Sequence, residues 1–113
     1  MKYHSFRAKP YNTVVIALIE PTITKANEDN KYKDTIQEAL DIPSPFGYAF
    51  CAIDNVVVLK LQDITNVEAV VHECVHAYMT VCRINGVQLD PFNQEPTAYG
   101  ISEIFKSITK ETT

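Results

Sequence analysis

The segment His72-Glu73-Cys74-Val75-His76 is an H-E-x-x-H pentad. In a helix, histidines four residues apart lie on one face, one turn from each other. Two neutral imidazoles converging on one point can hold Zn²⁺. Glu73 then stands beside the ion, placed to accept a proton from a water that the ion acidifies. A chain of this length shows the pattern by accident in roughly one case in a few hundred. The bland alternative is a pair of helix histidines hydrogen-bonded in a polar groove, with Glu73 a solvated carboxylate.

A catalytic zinc site needs a third protein ligand and keeps its fourth position for water. Glu95 is the first candidate, 19 residues after His76 at the predicted start of the next helix. Its alternative role is an acid stabilised by the helix macrodipole. Cys82 follows His76 by six residues, where metzincin-like sites place a third histidine. That arrangement bends at a glycine, and Met79 occupies the position. On a continuous helix Cys82 points away from the histidine face. Asp90, in the intervening loop, is the third candidate. Tyr99 lies one turn after Glu95, where its hydroxyl could donate to the oxyanion of a tetrahedral intermediate. Its alternative is to pack in the helix interface with its hydroxyl at the rim. Cys74 and Cys51 read as small core residues. His4 reads as part of an irregular lead-in.

These residues must be positioned by the elements around them. The β-branched run Thr13–Ile19 predicts a buried strand stopped by Pro21. Ala26, Tyr32, Ile36, Ala39 and Leu40 suggest an amphipathic helix over 24–40, loosened around 27–30, and Asp41-Ile42-Pro43-Ser44-Pro45 stops it. Phe46–Ile53 and Val56–Leu61, joined by Asp54-Asn55, predict a β-hairpin. Thr65 and Glu68 form a capping box that opens a helix from about 66 to 84, with Asp63 as an additional cap. Val70, Val71, Val75, Ala77, Tyr78 and Val81 are its expected buried residues. Asn85-Gly86 closes it. Glu95-Pro96 opens a last helix to about 109, with Ala98, Ile101, Ile104, Phe105 and Ile108 as its apolar stripe. The expected order is β-α-β-β-α-α, with residues 1–11 irregular.

The chain has 113 residues, which predicts one domain with a modest core. Its net charge is −4 and it has no basic block, so phosphate-backbone binding is disfavoured and no nucleic-acid partner is expected. The N-terminus lacks the apolar run of a signal peptide, and no run approaches the ~20 residues that span a bilayer. Three cysteines, Cys51, Cys74 and Cys82, argue for a reducing, cytoplasmic setting rather than a disulfide framework. The acidic string Glu20, Glu28, Asp29, Asp34, Glu38 and Asp41 reads as a solvated face.

The pentad, followed by Glu95-Pro96-Thr97-Ala98-Tyr99 on the next predicted helix, resembles the gluzincin-type zinc metallopeptidases. It is most similar to the small phage- or prophage-encoded and ImmA/IrrE-like members, whose helix pair carries H-E-x-x-H and then E-x-x-A. The resemblance covers roughly Phe46 to Ile108, and the first 40 residues take no part in it. It implies an α+β, minimal zincin-like domain, with a small antiparallel or mixed sheet packed on the H-E-x-x-H helix. It implies His72 and His76 as zinc ligands, Glu95 as third ligand and Glu73 as catalytic base. It also implies a hairpin edge strand that pairs with extended substrate, and host cytoplasm as the location of a phage-encoded protein. The expected function is zinc-dependent hydrolysis of a protein or peptide substrate. The alternative is a non-catalytic zincin-like protein-binding module of a phage or prophage.

Overall fold

Val14–Ile19 and Val56–Leu61 are apolar at nearly every position, and a strand can be so only where both its faces are covered. The computed structural model describes residues 2–20, 26, 28–42, 47–52 and 55–112. In it the two segments lie side by side at the centre of a four-stranded mixed sheet. The elements in chain order are β1 (Lys2–Arg7), β2 (Val14–Ile19), α1 (Lys33–Asp41), β3 (Gly47–Ala52), β4 (Val56–Leu61), α2 (Val67–Ile84) and α3 (Glu95–Thr112). The strand order is β1-β2-β4-β3. β2 and β4 pair in parallel, and β1 and β3 flank them antiparallel. The α+β class with a small mixed sheet is as expected.

Alternation along the two central strands splits the core in two. Val15, Ala17, Ile19, Val57, Leu59 and Leu61 meet the buried faces of α2 and α3. Ile16, Leu18, Val56 and Val58 meet Ile36 and Ala39 of α1 on the other side. The parallel register sets Val15 opposite Val57 and Ala17 opposite Leu59, so neighbours along each face come from both strands.

The N-terminal segment departs from expectation. Instead of an irregular lead-in, Lys2–Arg7 is an edge strand paired to β2 from Lys2↔Ile19 to Arg7↔Val14. A strand with one neighbour and one covered face needs little apolar sequence. Phe6 packs on the core while Ser5 and Arg7 stay exposed, a pattern too weak to read without β2 beside it. His4 therefore lies in a strand, its ring 5.3 Å from that of Phe6. The helix expected over 24–40 begins only at Lys33; residues 21–25 and 27 lie outside the described residues. Asn30 accepts from the Tyr32 N–H at 2.8 Å and makes a turn before the helix. Ala26 still joins the apolar layer, held by a bond from its N–H to Gln37 Oε1 of 2.8 Å. Of the hairpin turn, Asn55 has a left-handed φ of 62°, and Asp54 lies outside the described residues, as do 43–46.

The entry to α2 also differs. Asn66, not Thr65, is the N-cap, accepting from the Ala69 N–H at 3.2 Å. Thr65 donates both its N–H and its hydroxyl to Asp63 Oδ1, at 3.0 and 2.6 Å. Asp63 thus organises the preceding turn rather than the helix, and these bonds hold its carboxyl below the usual carboxylate range. The exit of α2 is as expected. Gly86 takes φ 68°, Val87 N–H reaches Cys82 O at 2.9 Å and Gly86 N–H reaches Arg83 O at 3.3 Å, the Schellman arrangement.

Two polar features tie the layers together. Thr13, fully buried, donates to Asn55 Oδ1 at 2.5 Å and accepts from Asn85 Nδ2 at 2.8 Å. The C-cap of α2, the entry to β2 and the turn before β4 thus share one network. Lys60 of β4 is 3% exposed. Its Nζ donates to Ala39 O at 2.9 Å and to Ile42 O. α1 has no basic residue in its own last turn, and Lys60 supplies the cation that its C-terminal carbonyls favour. Burial lowers the lysine pKa, and Asp41 pushes it the other way.

Candidate metal centre

α2 has a buried face made of Val70, Glu73, Cys74, Ala77, Tyr78, Val81 and Cys82. These positions recur at the three- and four-residue spacing of a helix packed along one side. His72 and His76 fall on the opposite, exposed side. At about 100° per residue they sit about 40° apart around the axis and one turn apart along it. Their Nε2 atoms are 3.1 Å apart, with ring centroids at 4.7 Å and planes at 75°. Without an ion, such a contact is an N–H···N hydrogen bond whose donor depends on the tautomer.

The spacing suits a metal. Two nitrogens about 2.0–2.1 Å from a tetrahedral zinc stand about 3.3–3.4 Å apart. The observed 3.1 Å closes that bite only slightly. Ligand atoms of His72, Glu73 and His76 all lie within 4.8 Å of one another. The two imidazoles therefore fit two positions of a zinc ion, and Glu73 is the carboxylate that stands beside them.

Glu73 occupies the border between the two faces. It is 7% exposed. Burial raises its pKa, and His72 and His76 pull it down by less. Cys74, the next residue, is fully buried, and burial, then Glu73, push its thiol up to about 12. It is a core group and not a ligand, as expected from its position. The expectation for Cys51 concerns a side chain outside the described residues.

The candidates for a third ligand separate. Cys82 is 2% exposed and packs in the core with Val81 and Ile104, far around the helix from the histidines. Asp90 is exposed, and its carboxylate accepts from the Phe92 N–H at 2.9 Å. Glu95 heads α3, exposed, and lies outside the His72–Glu73–His76 group. Tyr99 is 70% exposed, so it does not pack in the helix interface. Val71, expected to be buried, is 42% exposed, and Ala98 of the expected α3 stripe is also exposed. Ile104 and Ile108 are buried as expected, with Ile101 and Phe105 packed beside them. The acidic string Glu20, Glu28, Asp29, Asp34, Glu38 and Asp41 is exposed throughout.

What fixes α3 against α2 is a contact that the sequence did not single out. The Tyr78 ring lies directly over Gly100, where an added Cβ would meet Cε1 at 1.9 Å. Tyr78 Oη donates to Pro96 O at 3.3 Å, and burial, then Cys82, raise its pKa to about 12. A glycine inside a predicted helix was the available signal, since it is tolerated there mainly for a packing reason. Neither a family model nor a curated protein nor a solved structure matches this chain.

Proposed function

We propose that the chain is a small zinc-dependent peptide hydrolase of zincin type. The observation that carries the proposal is the 3.1 Å approach of His72 Nε2 and His76 Nε2 beside the partly desolvated carboxylate of Glu73. His72 and His76 would hold the ion, with Glu95 proposed as the third ligand. Zinc supplies Lewis acidity that lowers the pKa of water toward neutrality and polarises a carbonyl. Glu73 accepts the proton released on attack and delivers it to the leaving amine. A carboxyl raised above its ordinary range suits both halves of that task. Tyr99, exposed at the head of α3, is proposed to donate its hydroxyl to the developing oxyanion. Among the described residues β3 has β4 as its one strand neighbour, so its other edge is proposed for main-chain pairing with an extended peptide. The resemblance to phage-encoded and ImmA/IrrE-like members supports the same reading, with a cytoplasmic protein as target. Among the described residues no helix is long and apolar enough to cross a membrane.

The test is zinc stoichiometry with hydrolysis of a mixed peptide library. Wild type should carry about one zinc per chain and cleave. Glu73→Gln should keep the zinc and lose roughly 10²–10⁴-fold in rate. Full activity in Glu73→Gln would sink the proposal. A second reading draws on the exposure of both imidazoles and the position of Glu95 outside their group. In it the zinc site belongs to a protein-binding module without turnover. Zinc bound at one per chain with no cleavage by any variant would favour it.

A further inference from the structure

A cleft of ≈ 240 Å³ opens between the end of β1 and α3. Its apolar lining is Phe6, Ala8, Tyr78 and Ile104, with the Tyr78 ring packed against Gly100 at its floor. Arg7, Lys9 and Glu103 also line it, two positive charges and one negative, which leaves one net positive. A cavity of about 150 Å³ suffices for a benzene ring, so this cleft has room for one aromatic side chain.

The same chain carries a side chain of that shape in the open. Phe92 is 98% exposed, the largest exposure among the described large apolar residues. It is not on a loose segment. Asp90-Pro91-Phe92-Asn93 is a turn closed by Asn93 N–H to Asp90 O at 3.2 Å. Asp90 Oδ1 accepts from the Phe92 N–H at 2.9 Å, and Gln94 Nε2 donates to Pro91 O at 3.1 Å. Proline at the second position further limits the turn. A rigidly presented aromatic loses little entropy on docking, which is how interface anchors are built. Asp90 and Glu95 place two negative charges near Phe92 in the chain, and the cleft is net positive.

From this fit of shape and charge we infer that the chain self-associates, with Phe92 of each copy seated in the β1–α3 cleft of the other. Each copy carries both the knob and the hole, so a two-fold exchange fills both. Phe92 and the half-buried Phe6 are the apolar groups that association covers, over a floor of Ala8, Tyr78 and Ile104 that is already buried in one copy. Arg7 and Lys9 face the acidic turn across the rim. The inference is independent of the zinc proposal, because His72, Glu73 and His76 do not line the cleft.

Sedimentation equilibrium of the full chain, with and without added salt, tests it. The weight-average mass should rise with concentration from 12.7 kDa toward twice that value, and salt should weaken the rise. Phe92→Ala, whose side chain touches little in the monomer, should stay monomeric with an unchanged far-UV circular dichroism spectrum. Arg7→Glu should shift the association at least several-fold toward monomer. A benzophenone-bearing phenylalanine analogue at position 92 should cross-link, in the dimer band, to residues 6–9 or 100–107. Wild type that stays monomeric at the highest attainable concentration would overturn the inference. So would Phe92→Ala that associates as wild type does, or adducts confined to other segments.

Discussion

Gly100→Ala isolates the contact that sets α3, and with it Glu95 and Tyr99, against α2. An alanine Cβ would lie 1.9 Å from Tyr78 Cε1 and 2.5 Å from Cδ1 and Cζ. Reaching 3.4 Å, where ordinary contact begins, needs 3.4 − 1.9 = 1.5 Å of movement. The ring has little freedom, being 6% exposed and bonded to Pro96 O, so the helices must part. Overpacking of this kind costs about 1–3 kcal/mol. Alanine in a helix regains about 1 kcal/mol over glycine. With a clash this deep the packing term wins, for a net loss of up to about 2 kcal/mol and a fall in Tm of up to about 8–16 °C. In a Tyr78→Ala background the obstruction is gone, so the same substitution should stabilise by about 1 kcal/mol. The reversal of sign, read by urea unfolding of the four proteins of the cycle, is the signature. Gly100→Ala that raises Tm in the wild-type background would refute the packing.

Zinc at 100 times its dissociation constant should stabilise the wild type by about 2.7 kcal/mol, and His76→Ala should lose most of that gain in a thermal melt. Glu95→Ala should weaken the zinc response if Glu95 is the third ligand, and an unchanged response would remove it from that role. Thr13→Val leaves Asn55 Oδ1 and Asn85 Nδ2 without the hydroxyl between them; a loss of about 1–3 kcal/mol is expected by chemical denaturation. Lys60→Met strips the donor from Ala39 O and Ile42 O and should cost about 1–3 kcal/mol near neutral pH. The folded Lys60 pKa lies below its ordinary 10.5, so between those values the unfolded chain binds more protons. Wild-type stability should therefore rise with pH through that window, and the rise from this group should vanish in Lys60→Met.

The parts whose periodicity is self-contained were legible in the residues alone. Val14–Ile19 and Val56–Leu61 are apolar enough to demand a two-sided core. Asn85-Gly86 ends α2 through a bond pattern local to six residues. His72 and His76 share a face because any helix puts positions four apart together. Other features depend on neighbours distant in the chain. β1 exists because β2 offers it an edge, and nothing in Lys2–Arg7 states that alone. Thr65 lost the cap to Asn66 because Asp63 engaged it first. Glu73, adjacent in sequence to an exposed histidine, is buried because α2 lies against the sheet with that flank down. Lys60, a charge within an apolar run, is buried because α1 packs its C-terminus over it. Gly100 is explained only by Tyr78, which occupies the space of its missing Cβ. Local bonding repeats along a chain and can be read from it, whereas packing depends on which surfaces meet.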